Sequence, residues 1–255
     1  ITASNGGAGG ALTMQAGRSI LINANITTDG GALTLTANDT GAVDGQRDSG
    51  DAVITMDSSG ATIDTGSGTF TATISTESTS GDISLHTVNA GSLVVVNNGT
   101  TAGSDILDTG VLTVTGTSSF TTAASDGVIT LDSTNVLSGA VTLNTNSSGS
   151  SANATIDNGT TALDIAASTV GGNLTLTSGH ASGITDSGIV TVEGNLIATT
   201  DAGNGLISMG TLAVGGTIAL TTNGTGDATV VNADGLKFAA STIGGDLIAT
   251  ASAGD

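Results

Sequence analysis

Four aspartates crowd one short Gly-rich stretch: Asp39, Asp44, Asp48 and Asp51 in DTGAVDGQRDSGD. Carboxylates gathered on one loop suit a hard cation such as Ca²⁺, which takes about six to eight oxygen ligands. The spacing is not that of an EF-hand, and the Gly-Gly-x-Gly-x-Asp calcium repeat is missing. The expectation is therefore an exposed acidic loop, residues 39–51, with calcium held by these four aspartates, as in a calcium-dependent repeat adhesin, as the alternative. The basic residues are Arg18, Arg47 and Lys237, far apart in sequence. Lys237 stands between Leu236 and Phe238, which points it outward from a strand as a solvated charge. His86 follows inward-facing Leu85 and faces out, and His180 lies in a Ser-Gly-His turn. The two do not form a pair with metal spacing. There is no Cys and no Gly-x-Ser-x-Gly elbow, so nucleophilic catalysis has no candidate. Polysaccharide-cleaving sites on β-helices need acids clustered with basic or aromatic residues along a groove. The expected inventory is no catalytic, cofactor-binding or metal residue and no enzyme activity; a β-helical polysaccharide-degrading enzyme is the alternative.

Two patterned sets remain. Outward threonines (Thr34, Thr36, Thr113, Thr175, Thr177, Thr191) would bind ice if they formed a flat lattice, but the spacing between copies drifts, and β-propensity on a wet face explains them as well. Asn-x-Thr triplets begin at Asn25, Asn98, Asn158 and Asn223 and matter only in a host that glycosylates.

Composition narrows the classes further. The chain has 255 residues with 40 Gly, 3 Phe and no Pro, Cys, Trp or Tyr, and its formal net charge is −19. Three basic residues and no stacking Trp or Tyr argue against nucleic-acid binding, and the acidity disfavours anionic membrane surfaces. No stretch approaches the roughly 20 apolar residues of a membrane helix. Positive mean hydropathy, absent Pro and patterned apolar residues speak against disorder. No basic n-region or apolar segment opens the chain (ITASNGGAGG), and the pattern is cut at both ends, as in an internal piece of a longer chain or a processed product.

The elements that must carry these residues are short strands. Gly9-Gly10-Ala11-Leu12-Thr13-Met14 recurs 21 residues on as Gly30-Gly31-Ala32-Leu33-Thr34-Leu35, and 21 more lands on Ile54-Thr55-Met56. Apolar residues alternate with Thr, which is the period of a strand with one buried face. β-Branched residues and Gly punctuation exclude helix. A longer echo exists as well. LDIAASTVGGNL at 163–174 returns as LKFAASTIGGDL at 236–247, offset 73, and Ile106 to Ile129 match Ile184 to Ile207 at offset 78. Small β-sandwiches in tandem are the rival, but their cores use aromatics and their loops Pro. The expectation is one continuous all-β domain over 1–255: a right-handed parallel β-helix, a β-solenoid of about 21 residues per turn with a 73–78-residue super-repeat. About 12 turns at roughly 4.8 Å each give a rod near 55–60 Å long. Inward positions are Leu12, Leu33, Ile54, Leu143, Leu174, Leu176, Ile218, Leu220 and Leu247. The apolar run Ser92–Val96 reads as a strand sheltered on both faces or at a subunit contact.

The Gly-x-Leu-Thr-Leu-Thr units (GALTLTAN, GGNLTLTSG, GGTIALTTNG) resemble the repeats of filamentous-haemagglutinin-type exoproteins and large autotransporter-like adhesins. The resemblance implies a right-handed parallel β-helix serving as a structural or adhesive stalk, secreted or on the bacterial cell surface. Its partners would be further copies of itself, end-to-end or lateral, or a host or cell-surface ligand, with no nucleic acid and no membrane insertion. Specificity would lie in extruded loops such as 39–51.

Overall fold

The computed structural model describes residues 1–3, 9–57 and 59–253, without the side chain of Asp44. It is an all-β solenoid of about 10 turns, with successive turns about 23 residues apart. The only helical element among the described residues is a single 3₁₀ turn, Asp44–Gln46. Among the described residues no helix is long and apolar enough to cross a membrane. In the first five turns each turn lays down three strands, one on each of three faces. The first face stacks Leu12–Gln15, Leu33–Ala37, Thr69–Ile74, Ser92–Asn97, Ser118–Thr122 and Val141–Asn144. The second runs from Ile20–Ile22 up to Ile218–Thr221, and the third from Ile26–Thr27 to Val136–Leu137. All pairings between these strands are parallel, so each turn satisfies the backbone groups of the next. Above Val141–Asn144 the third and first faces merge, because Ile207–Val214 runs round the corner. Its first half pairs with Ile184–Asp186 and its second with Val190–Val192.

The core is a set of aliphatic columns one residue wide. Two of them line the first face. One runs Leu12, Leu33, Phe70, Leu93, Ser118, Val141, and the other Met14, Leu35, Ala72, Val95, Phe120, Leu143. Each phenylalanine shares its strand with a small inward neighbour, Phe70 with Ala72 and Phe120 with Ser118, so the local volume is conserved. The cost is polar: the buried Ser118 hydroxyl has no hydrogen-bond partner. Of the expected inward residues, Leu33, Ile54, Leu143, Leu174, Leu176, Ile218 and Leu220 are fully buried, and Leu12 is partly so. Leu247 departs from expectation at 45 % exposed, because its strand Leu247–Ala251 pairs on one side only.

Three further expectations need correction. The period is nearer 23 residues than 21, and the turns number about 10, not 12. The 21-residue step pairs Leu12 with Leu33, but Ile54 is not the next partner; it lies on the second face against Ile20 and Ile83. The loop at 39–51 is inserted between the two faces, so Leu33 meets Phe70 instead. The run Ser92–Val96 is not sheltered on both sides: Leu93 and Val95 are buried, while Val94 and Val96 face out between Thr71 and Ser119 and between Thr73 and Thr121.

The outward threonines are not one ladder. Thr34 and Thr36 lie on the first face, Thr175 and Thr177 on the second and Thr113 on the third. The drift in spacing is absorbed at the corners and does not disturb the register within a face. The 78-residue echo has a related geometry. Ser118–Thr122 lies on the first face and its echo Leu196–Thr200 on the second. One super-repeat therefore advances three turns and one face, which fits three turns of about 23 residues plus a third of a turn.

Candidate functional site

Three kinds of polar side chain hold the corners, and they must be separated from anything that could meet a ligand. Inward threonines at strand ends donate across the bend to a carbonyl: Thr65 to Gly68 O, Thr145 to Ala152 O, Thr200 to Gly205 O and Thr222 to Gly226 O, at 2.7–2.9 Å. Buried asparagines replace missing strand pairs. Asn158 Oδ1 accepts from Leu137 N at 2.8 Å while its Nδ2 donates to Leu137 O at 3.0 Å, so the amide stands in for a rung where the third face stops. Asn232 does the same for Val214, and Asn135 Oδ1 accepts from Leu112 N. This role for Asn158 removes it as a glycan acceptor in the folded chain, whereas Asn25 and Asn223 are exposed. The third kind is carboxylate. Asp108 is buried and accepts from Asn135 Nδ2 at 2.7 Å and from the Asp132 and Ser133 amides. Burial raises its pKa, and burial also raises that of Asp105, with Asp82 and Asp126 nearby adding to the shift. Asp57 goes the other way: hydrogen bonds from the Ser59 amide and hydroxyl lower its pKa.

The histidines and the lysine serve no common site. His86 Nδ1 sits 3.1 Å from Thr109 O, and His180 Nδ1 accepts from Ser182 N inside its own turn. Lys237 is exposed near the far end of the rod. Among the described residues, no group of three or more His, Cys, Asp or Glu is placed to hold a metal ion. Asp48 and Asp51 are exposed and Asp39 half-buried, while the side chain of Asp44 lies outside the described residues.

One place does gather functional groups. The loop leaves the first face at Asn38, which is buried with φ 55° and donates through Nδ2 to Ser75 O and Ser78 O. It folds back over the corner between Leu12–Gln15 and Ile20–Ile22. Arg47 secures it: Nη1 donates to Gly17 O, and Nη2 to Asp39 O and Ala42 O. Gly50, at φ 102°, lies over the Arg18 guanidinium, and a Cβ there would come within 2.7 Å of Nη2. Between loop and corner is a cavity of about 560 Å³ lined by Arg18, Arg47, Gln46, Leu21, Val43 and Asp48, among others. Arg18 Nε is buried and has no hydrogen-bond partner. The two arginines, 29 positions apart in sequence, thus face one space. Arg18 O accepts from Asn38 N at the point where the loop leaves the first face, so the corner that carries Arg18 is held directly against the start of the loop that carries Arg47.

Residues 71–144 and 151–209, together just over half of the chain, match the model of a family described as repeats of unknown function (DUF5649). The chain belongs to that repeat family. No curated protein and no solved structure matches it. The first matched segment opens within the first-face strand Thr69–Ile74 and closes with the first-face strand Val141–Asn144, so it covers a little more than three turns. The asparagine rungs Asn135 and Asn158 and the carboxylates Asp105 and Asp108 lie inside matched segments. The arginine-lined cavity lies outside both, in the turns that precede them.

Proposed function

We propose that this chain is a non-enzymatic structural and adhesive stalk, a segment of a secreted or surface-anchored bacterial protein of the filamentous-haemagglutinin or autotransporter-adhesin kind. The observation that carries this reading is the uninterrupted parallel ladder from Leu12–Gln15 to Leu247–Ala251. A fold in which each turn pairs only with its neighbours extends by adding turns, and its stiffness comes from ladder hydrogen bonds and the narrow aliphatic columns. The net charge of −19 keeps such a rod soluble. Of the three basic side chains, Arg47 is occupied in capping loop carbonyls and Lys237 is remote, which supports a scaffold over a polysaccharide-cleaving groove.

Electron microscopy of the purified chain tests the proposal. About ten turns at ~4.8 Å make a rod of roughly 45–50 Å, and rods of this length, single or joined end to end, are the expected particles. Globular particles would refute the stalk, and turnover of pectin-like or sulfated polysaccharide would refute the non-enzymatic part.

A further inference from the structure

We propose that the cavity beneath the 39–51 loop binds a monocarboxylate carried on a hydroxylated body about the size of one sugar ring, with Arg18 as its anion ligand. This deepens the adhesive part of the reading above and rests on it for its biological setting.

The first argument is the orphaned donor. Among the described residues only two buried side-chain polar atoms lack partners, Arg18 Nε and Ser118 Oγ. Ser118 is explained by the neighbouring Phe120. Arg18 has no such explanation, and a buried unpartnered N–H is costly unless something arrives to accept from it. Its guanidinium presents a planar fork that matches a carboxylate.

The second argument is that the cavity is already built. Arg47 is committed to three carbonyls and holds the loop shut, Gly50 leaves room for the Arg18 guanidinium, and about 560 Å³ lies within the usual range of small-molecule sites. Occupancy therefore requires no large rearrangement of the loop, only a small turn of the Arg18 side chain that brings its buried Nε–H to the ligand.

The third argument selects the ligand. The molecule as a whole is strongly acidic, and Asp48 sits on the cavity lining. This field opposes doubly charged phosphate or sulfate esters more than a single carboxylate. The lining is also mixed: Leu21 and Val43, 63 % and 69 % exposed, offer apolar contact, and the Gln46 amide offers both a donor and an acceptor. A sugar acid presents an apolar ring face, hydroxyl edges and one carboxylate, and so matches all three.

The chain contains only two arginines, so the side-chain Nε–H spectrum of ¹⁵N-labelled protein holds two arginine signals, and Arg18→Lys assigns them. Glucuronate, glucose, acetate and inorganic phosphate are the probes. The expected result is a saturable shift of the Arg18 Nε–H signal with glucuronate and no such shift with glucose. Arg18→Gln should weaken binding by at least about tenfold, the value of a charge-assisted hydrogen bond. Val43→Ser, at an exposed position that leaves the fold intact, should weaken glucuronate but not acetate. No shift at tens of millimolar glucuronate, or equal binding by the Arg18→Gln protein, overturns the site. Equal affinity for acetate overturns the sugar-sized body, and an equal response to phosphate overturns selectivity for a single charge. None of these outcomes alters the particle shape seen by microscopy, so the site and the stalk fail separately.

Discussion

Replacing Asn158 by Ala tests whether a side-chain amide can serve as a rung of the solenoid. Asn158 is fully buried, and its Oδ1 accepts from Leu137 N at 2.8 Å. Its Nδ2 lies 3.0 Å from Leu137 O, 2.9 Å from Ala162 O and 3.3 Å from Thr161 O. Truncation strands the Leu137 amide and carbonyl and the Ala162 carbonyl in a dry corner. Each unmet buried group costs about 1–3 kcal/mol, and the space vacated by the amide holds at most one water to rescue one of them, so the expected loss is roughly 3–5 kcal/mol. That is a large part of the ~5–15 kcal/mol of an ordinary domain. Urea unfolding measures the global loss, and hydrogen exchange at the Leu137 amide reports the local one. Asn158→Asp should be worse at neutral pH, since its carboxylate would face three carbonyl oxygens, and should recover partly in acid. Asn98→Ala, where no side-chain hydrogen bond is present, is the control and should change stability by less than about 0.5 kcal/mol. A loss below about 1 kcal/mol for Asn158→Ala, with Leu137 exchange unchanged, would refute the rung.

Acidification from neutrality should first stabilise the fold. The pKa values of Asp108 and Asp105 are raised in the folded state, so the native chain binds more protons than the unfolded one between the ordinary carboxylate pKa and the raised values. Stability then climbs as pH falls through that window and stops climbing below it, while Asp57, shifted downward, begins to oppose only below its ordinary value. A Tm that drops between pH 7 and 5 would contradict this, and Asp108→Asn should flatten the gain. Ser118→Ala removes a buried hydroxyl without a partner and should leave stability unchanged or raise it by up to about 1 kcal/mol in urea unfolding. Thermal hysteresis should be absent, because the outward columns of the first face are interrupted by Val94, Val96 and Asn144 and the remaining threonines are divided among faces.

Much of the architecture was legible because it rests on local chemistry. The Leu-Thr-Leu-Thr alternation fixes which side chains enter the columns, and the missing Pro fits ladders that need every amide. The register across the 39–51 insertion was not legible: a long loop costs little free energy, so nothing in the flanking strands signals that Leu33 will skip to Phe70. The rung role of Asn135, Asn158 and Asn232 was not legible either, since Asn favours turns locally and its use as a substitute backbone depends on the turn below. The paired arginines were missed for a similar reason. Arg18 and Arg47 meet only because one corner is stacked beneath the loop of the next turn, a relation set by the ladder and not by distance along the chain.

The placement of the super-repeat has a geometric outcome for any longer chain made of the same units. Three and a third turns carry each copy about 16 Å along the axis and through a third of a revolution. Corresponding features thus wind about the shaft as a screw thread and regain their original bearing after three copies. A loop or ligand-binding residue repeated in every unit would point in three directions in rotation and would be reachable from every side. The same winding denies the rod a uniform flank along which identical strips could zip together, so bundling would have to engage dissimilar surfaces.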